Sequence, residues 1–170
     1  MVTVEPHLTR TQVFETVANY LKEEGFSVAA NDFNRPWGGF FVLEEGNASA
    51  FAAKFFNEVD FSTLKIAGKL SPKILIVAPQ KRLSWQYHFR RAEIWKLIGG
   101  TAGVVISDTD EETTVKNLTV GEIVRLPKGQ RHRLVGLAGW GIIAEIWQHT
   151  DAAHPSDEND IVRLQDDFGR

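Results

Sequence analysis

Three residues in the middle of the chain, Gln86, His88 and Glu93, bring an amide, an imidazole and a carboxylate into one short stretch. Gln86 and His88 are two residues apart, so their side chains leave the same face of a strand. Glu93 follows His88 at an odd spacing and would point to the opposite face of a continuous strand. The chain must therefore turn or bulge between Phe89 and Ala92 for Glu93 to meet His88 from a return strand. Such oxygen and nitrogen groups suit a divalent metal ion, although a polar strand face with a hydrogen-bonded histidine is the alternative.

A second stretch, from Gly121 to His132, has the spacing G-x5-P-x-G-x2-H. Pro127 and Gly129 mark a turn, because proline fixes φ and glycine tolerates positive φ. The two stretches together resemble the two motifs of the cupin superfamily, H-x-H-x3–4-E-x6-G and G-x5-P-x-G-x2-H-x3-N. The resemblance implies that Gln86, His88, Glu93 and His132 are the ligands of one divalent metal ion per chain.

A narrower resemblance follows from the departures from the general cupin motifs. Gln86 replaces the usual first histidine, Gly136 replaces the final asparagine, and the spacing from Glu93 to Gly99 is one residue short. The run from Gln86 through Arg91 to Trp95 resembles the Q-x-H-x-x-R-A-E-H-W sequence of type II mannose-6-phosphate isomerases. In that family the cupin domain often follows a mannose-1-phosphate guanylyltransferase domain.

The resemblance extends over roughly residues 35 to 170. It includes Arg35-Pro36-Trp37-Gly38, Lys73, Asp160-Ile161-Val162-Arg163 and Phe168-Gly169-Arg170. It breaks at Ile94, where the family has histidine, and at Gln80, where the family has glycine after the proline. Residues 47 to 70 are interpreted as an insertion that includes a short helix. Stand-alone chains of this kind are sometimes labelled phosphoheptose isomerases.

The resemblance implies aldose–ketose isomerisation, most simply between mannose 6-phosphate and fructose 6-phosphate. The metal ion would be a Lewis acid for the sugar oxygens, with zinc favoured by family analogy and manganese, iron, cobalt or nickel also suited to the ligands. Arg91 matches the family arginine, which implies that it neutralises a developing oxyanion or clamps the phosphate. Glu145 and Lys73 are the candidates for the proton-transfer base.

Two other classes of function stay open. One is another metal-dependent cupin enzyme, an oxygenase or an epimerase. The other is a non-catalytic sugar-binding cupin, which the departure at Ile94 favours.

Several polar residues have two interpretations each. Glu145 alternates with Ile143 and Trp147, so it is either a carboxylate that faces the barrel interior or one that faces the solvent. Burial of an acid costs free energy unless a hydrogen-bond or charge partner compensates for it. Lys65, Lys69 and Lys73 are either phosphate ligands or a solvated face. Trp37 lies at the mouth of the site or in the core. His7, His149 and His154 lack ligand spacing and are interpreted as surface residues.

The fold class is predicted from many short strands separated by glycine and proline. We expect an all-β double-stranded β-helix, the jelly roll of cupins, with one added N-terminal helix over residues 9 to 25. Thr9 and Gln12 have capping-box spacing at its start, and Gly25 is its stop. The whole chain, 1–170, is expected to be a single cupin domain with a helical extension over residues 1–34 and a jelly roll with a C-terminal tail over residues 35–170.

Composition narrows the classes of partner. The chain has 170 residues, a formal net charge of −3 and no cysteine, which gives no electrostatic case for nucleic acid or an anionic membrane and excludes disulfides and thiolate chemistry. No signal sequence or membrane-spanning run is visible, so a cytoplasmic protein is expected. The expected partners are a small sugar phosphate and a second copy of the chain, because jelly rolls often pair their sheet edges.

Overall fold

The computed structural model describes residues 1–64 and 68–170. Lys65, one of the three candidate phosphate lysines, lies outside the described residues. No helix in the described part of the chain is long and apolar enough to cross a membrane.

Within the described residues, nine antiparallel strands form one curled sheet, which is the jelly roll that the sequence predicted. Along one path the strands lie in the order β1-β2-β3-β8-β4-β9, while β5 pairs with β6, β7 and β8. Their bounds are β1 Val28–Arg35, β2 Gly38–Leu43, β3 Lys73–Val77, β4 Trp85–Tyr87, β5 Arg91–Ser107, β6 Lys116–Asn117, β7 Ile123–Leu126, β8 Arg131–His149 and β9 Val162–Gln165.

Two long strands, β5 and β8, form the frame of the sheet. Glycine pairs suggest strand ends in the sequence, yet Gly99 and Gly100 lie inside β5, where the register with β8 shifts on both sides of them. Gly100 has φ 67°, and a Cβ there would lie 1.9 Å from the Trp140 carbonyl oxygen. Glycine therefore permits a bulge that bends β5 and lets one strand serve both halves of the jelly roll.

Alternation along β5 separates two apolar cores. One face contributes Trp95 and Leu97 to an inner core, which also contains Leu126, Leu134 and Ile143. The other face contributes Ile94 and Ile98 to an outer core beneath the helices. Glu93 has the parity of Trp95, so this alternation turns its carboxylate towards the inside of the jelly roll.

The predicted N-terminal helix is α1, Arg10–Glu23. Thr9 and Gln12 form the predicted capping box, and Gly25, at φ 77°, follows the last turn. Val13, Phe14, Val17 and Leu21 are buried in the outer core. Burying each such side chain contributes about 1.5–3 kcal/mol, so α1 is a cover for the sheet.

A second helix, α2, spans Ala48–Phe55 and lies inside the segment interpreted as an insertion. Its Phe51 and Phe55 rings contact Phe26, with ring centroids 5.6 and 6.1 Å apart. The jelly roll also begins earlier than expected. Val28–Arg35 forms β1 and pairs with β2, so the expected boundary at residue 35 falls at the end of a strand instead of at the end of a helical extension.

Candidate metal centre

His88, Glu93 and His132 form a buried cluster whose potential ligand atoms all lie within 4.8 Å of one another. His88 Nε2 is 3.1 Å from Glu93 Oε1, and His132 Nε2 is 3.4 Å from Glu93 Oε2. Each of the three residues is only 2% exposed. The sequence prediction that these residues converge is therefore consistent with the geometry.

Three separate elements bring the cluster together. His88 directly follows β4, a bend at Phe89 and Arg90 follows, and Glu93 is the third residue of β5. This bend is the break in parity that the spacing required. The two strands do not pair with each other: β5 pairs with β6, β7 and β8, while β4 pairs with β8 and β9. His132 lies on β8, between β4 and β5. It is paired with Gln86 of β4 on one side and with Ile106 of β5 on the other.

Backbone carbonyls determine that Nδ1 is a ring nitrogen that carries hydrogen in both imidazoles. His88 Nδ1 is 2.6 Å from the Asp160 carbonyl oxygen, and His132 Nδ1 is 3.0 Å from that of Gln130. A carbonyl only accepts, so both Nδ1 atoms carry hydrogen and donate, and both Nε2 atoms face Glu93.

The resulting donor set fits a divalent cation. His132 Nε2 is buried and has no hydrogen-bond partner among the described residues, since its 3.4 Å approach to Glu93 lacks hydrogen-bond geometry. With each Nδ1 engaged by a carbonyl, Nε2 is the ring nitrogen that each histidine would offer to a cation beside the Glu93 carboxylate. Two imidazoles and one carboxylate are ligands that zinc and other divalent transition metals bind.

Gln86, the fourth predicted ligand, lies directly opposite His132 in the β4–β8 pairing. Its Oε1 accepts a hydrogen bond of 2.6 Å from Ser84 Oγ, and its side chain lines the same cavity as Glu93. Its role as a metal ligand stays a prediction.

Arg91 is the arginine that reaches inward. Its Nε donates to Glu93 Oε1 at 2.8 Å, and its Nη1 donates to Ser156 Oγ at 2.9 Å. Its guanidinium also stacks 3.7 Å from the Trp147 ring centroid. Arg90, by contrast, has a side chain that is 33% exposed and that contacts Asp157 at 3.5 Å. The assignment of Arg91 as a catalytic residue stays a prediction, because these partners already engage much of its donor fork.

The environment of Glu93 favours its ionised form. Burial opposes ionisation, but the His88 imidazole and the Arg91 guanidinium beside the carboxylate, together with the approach of His132, hold the pKa of Glu93 well below its usual range. An ionised, buried carboxylate is the form that binds a metal ion.

Glu145 points into the jelly roll, which settles the two orientations left open by the sequence. It is 4% exposed, and its carboxyl accepts hydrogen bonds of 2.8 Å from the indole nitrogens of both Trp95 and Trp147. Burial, followed by the negative charge of Glu93, raises the pKa of Glu145 to about 8. A carboxyl group of this kind exchanges protons near neutral pH.

Trp95 connects the two buried acids. Its indole nitrogen lies 3.1 Å from Glu93 Oε2 and 2.8 Å from Glu145 Oε2, so one N–H is shared between them. The two acids therefore belong to one buried polar network.

Lys73 is the cross-strand partner of Glu145 between β3 and β8. It is buried, its Nζ pairs with the Glu158 carboxylate, and the ammonium lies 4.2 Å from the Trp147 ring centroid. Lys69 is exposed. Lys73 therefore lines the site, while Lys69 fits the solvated-face interpretation.

A cavity of about 440 Å³ joins these groups. Its polar wall contains Gln86, Arg91, Glu93, Glu145 and Lys73, and its aromatic wall contains Trp37, Phe40, Trp95 and Trp147. Trp37 is 5% exposed and belongs to the inner core, as one of its interpretations predicted, and it also lines the cavity. Glu93 lines this cavity, whereas His88 and His132, the other members of the candidate metal site, lie behind its lining.

His149 is not the surface residue that its sequence context predicted. It is 0% exposed at the end of β8. Its Nδ1 accepts from the Ser156 backbone N–H at 3.0 Å, and its Nε2 is 3.1 Å from Ser71 Oγ. No ligand spacing marks this contact, because its partners come from two distant loops. His7 and His154 are exposed, as expected.

A curled jelly roll that encloses two histidines and a glutamate defines a cupin. The family model described as "Mannose-6-phosphate isomerase C-terminal" matches residues 54–166. The chain belongs to this family, which confirms the resemblance carried by the motifs around His88 and His132.

The chain is also similar to parts of longer proteins. It is 30% identical over 166 residues to the alginate biosynthesis protein AlgA of Pseudomonas aeruginosa, a match that covers 96% of this chain and 28% of AlgA. It is 32% identical over 110 residues to the mannose-1-phosphate guanylyltransferase of Salmonella montevideo, a match that covers 65% of this chain and 22% of that protein. The chain thus spans less than a third of the length of these curated relatives.

Solved structures support the fold. Oxalate decarboxylase from Bacillus subtilis superposes with a TM-score of 0.55 and 16% identity, over 79% of this chain and 30% of that chain. A likeness at this level of identity shows a shared jelly-roll fold and nothing about the reaction.

Proposed function

We propose that this protein is a metal-dependent sugar-phosphate isomerase that interconverts mannose 6-phosphate and fructose 6-phosphate. One observation carries the proposal: a single cavity brings the metal-binding carboxylate Glu93 together with a second buried carboxyl, Glu145, whose pKa is raised to about 8. Membership of the mannose-6-phosphate isomerase C-terminal family supports the same activity.

The size and charge of the cavity suit a sugar phosphate. A volume of about 440 Å³ lies within the usual range for small-molecule sites, about 300–1,000 Å³. Arg35, Arg163 and Arg170 add positive charge to its lining. Arg35 pairs with Asp32 and Arg170 with Asp166, whereas Arg163 forms no ion pair within the described chain. Arg163 is therefore the arginine that we assign to the phosphate.

Glu145 is the group that we assign to proton transfer. Aldose–ketose isomerisation takes a proton from one carbon and returns it to its neighbour, which requires a group that is easily charged and easily protonated. The two indole N–H groups from Trp95 and Trp147 fix the carboxyl in place, and its raised pKa populates both protonation states near neutral pH. Lys73, paired with Glu145 across the strands, is assigned to a substrate oxygen that gains negative charge.

His88, Glu93 and His132, with Gln86 as the predicted fourth ligand, would hold the metal ion. Bound there, a divalent cation supplies a Lewis acid that stabilises negative charge on the sugar oxygens. Only one of these ligands is anionic, so the site keeps a net positive charge to offer the substrate. Zinc is the proposed ion by family analogy, and manganese, iron, cobalt and nickel suit the same ligands.

The experiment that tests this function uses protein stripped with a chelator and reloaded with zinc. We expect the loaded protein to convert mannose 6-phosphate to fructose 6-phosphate, detected by a coupled assay, and the stripped protein to be inactive. Glu145→Gln should lower kcat by about 10²–10⁴-fold, the usual contribution of general acid–base catalysis. Glu122→Gln, which changes a carboxylate that lies outside the cavity and pairs with Lys116, is the matched control, and its kcat should be unaffected.

Other outcomes would replace the proposal. Zinc-loaded protein that binds sugar phosphates but converts no hexose or heptose phosphate would be a binding protein. Iron content with oxygen consumption would indicate an oxygenase, and an epimerised sugar would indicate an epimerase.

Homodimerisation is part of the same proposal. β1 is the end strand of the sheet order, so one of its edges is available to a second copy of the chain. Sedimentation of the purified protein at a monomer mass would remove this part of the proposal without affecting the assigned reaction.

A further inference from the structure

Asp160, which precedes β9 in the C-terminal segment, is 5% exposed and contacts the chain on both sides of the bend after His88. Its Oδ1 accepts from the Phe89 backbone N–H at 2.9 Å, and its Oδ2 accepts from the Arg90 backbone N–H at 2.9 Å. Its Oδ2 also accepts from Ser156 Oγ at 2.6 Å. One carboxylate therefore fixes the bend that separates His88 from β5.

The main chain of the same residue orients the imidazole. The Asp160 carbonyl oxygen lies 2.6 Å from His88 Nδ1 and 3.4 Å from Arg91 Nη1. Because the carbonyl accepts the Nδ1 hydrogen, the ring presents Nε2 to Glu93. Asp160 thus holds the bend with its side chain and the His88 ring with its backbone carbonyl. If the carboxylate loses its hold on the bend, the carbonyl that orients His88 must move as well.

We propose that Asp160 is a positioning residue for the metal centre, with its carboxylate locking the C-terminal segment onto the bend so that its carbonyl directs His88 Nε2 at the bound cation. The inference rests on the metal site of the proposed function and is independent of which sugar the site takes. Both oxygens of the carboxylate accept backbone N–H groups, so both must be acceptors. An asparagine has one acceptor oxygen, and its NH₂ group would oppose one of the two backbone N–H groups.

The test measures metal affinity. Stripped wild-type and Asp160→Asn proteins are titrated with zinc against a competing chelator, and with cobalt(II) while its visible absorption is recorded, at a temperature where circular dichroism shows both proteins folded. We expect zinc to bind Asp160→Asn about 10–100-fold more weakly, the usual effect of losing a group that orients a ligand. The cobalt spectrum should change as well, because the geometry of one imidazole ligand is released.

Asp167→Asn is the matched control. Asp167 is another carboxylate of the C-terminal segment, and it pairs with Arg82 at 2.7 Å instead of with the bend. We expect it to bind zinc like the wild type. Zinc affinity of Asp160→Asn within about threefold of the wild type would overturn the proposal, since it lies well below the expected effect.

A second measurement covers the case in which Asp160→Asn does not fold. Long-range ¹H–¹⁵N spectra of zinc-loaded wild-type protein should show His88 protonated at Nδ1, and protonation at Nε2 would overturn the proposal. Wild-type protein that binds zinc but has no isomerase activity would refute the function and leave the role of Asp160 standing. Wild-type protein that binds no divalent ion would remove both.

Discussion

Glu145→Gln should abolish a specific pH dependence of folding stability. The folded-state pKa of Glu145 is raised to about 8, whereas an unfolded chain would ionise this carboxyl near its usual value of about 4.5. The folded protein therefore keeps a proton that the unfolded chain releases. The stabilisation that this proton provides is complete below the unfolded-state pKa and is lost as the pH rises through the folded-state pKa.

The size of the effect follows from the same two pKa values. Between pH 6 and pH 8 the unfolded carboxyl is ionised while the folded one still takes up its proton. The free energy of unfolding then falls by up to about 1.36 kcal/mol per pH unit. The slope is smaller near pH 8, where the folded carboxyl is only partly protonated, so the total loss over the interval is about 2 kcal/mol. The metal-free protein is the proper sample, because a bound cation lowers the pKa of acids near it.

The assay is urea unfolding of stripped wild-type and Glu145→Gln proteins at pH 6 and pH 8. The amide cannot ionise, so the variant should lose about 2 kcal/mol less than the wild type over this interval. Its NH₂ group opposes the N–H of Trp95 or Trp147, which lowers stability at both pH values alike, so the difference between the two pH values is the diagnostic quantity. Glu122→Gln should behave as the wild type, because the hydrogen bond from Lys116 lowers the pKa of Glu122 and leaves it ionised throughout. Equal pH dependence in the wild type and Glu145→Gln would refute the reasoning.

Three further perturbations test the site. His88→Ala and His132→Ala should each reduce the metal content from about one divalent ion per chain to near zero, and elemental analysis showing wild-type content in both would remove the metal site. Arg91→Lys should lower turnover about tenfold or more, a loss of about 1.4 kcal/mol of transition-state stabilisation, because lysine cannot reach Glu93 and Ser156 together. Turnover of Arg90→Lys should be near that of the wild type. A larger loss in Arg90→Lys than in Arg91→Lys would show that the inward arginine is misassigned. Burial lowers the pKa of His149 in the folded protein. As the pH drops below about 6.5, the histidine of the unfolded chain is therefore protonated before that of the folded protein, and the free energy of unfolding should fall. Urea unfolding of His149→Gln should show a weaker loss at acidic pH, and an unchanged loss would contradict the assignment.

The parts of the site that the sequence predicted depend on parity and short motifs. The odd step from His88 to Glu93 required a break in the strand, and the structure has a bend at Phe89 and Arg90. The helix caps at Thr9 and Gly25 were equally local, since each depends on neighbouring residues alone. Such features are predictable because their partners lie within a few residues of one another.

The missing parts depend on contacts between distant segments. Gly99 and Gly100 have the composition of a turn, yet hydrogen bonding to β8 carries β5 through them as a bulge. The contacts of Asp160 and His149 could not be predicted from the sequence, because their partners come from segments that only the folded chain brings together. Local propensity cannot predict a pairing whose two sides are separated by tens of residues.

The two buried carboxyls show how one cavity obtains two different acids. Glu93 and Glu145 share the indole N–H of Trp95, so this hydrogen bond alone cannot distinguish them. The difference is in the remaining neighbours: Glu93 faces His88 and Arg91, while the negative charge of Glu93 acts on Glu145 and outweighs the opposing effects of Lys73 and Arg91. Positive neighbours favour the ionised form and a negative neighbour opposes it, so the two pKa values move apart. One carboxyl is thereby kept as an anion for a metal ion and the other keeps a proton for the substrate, a division that Arg91→Gln should reduce, because loss of this positive charge raises the pKa of Glu93.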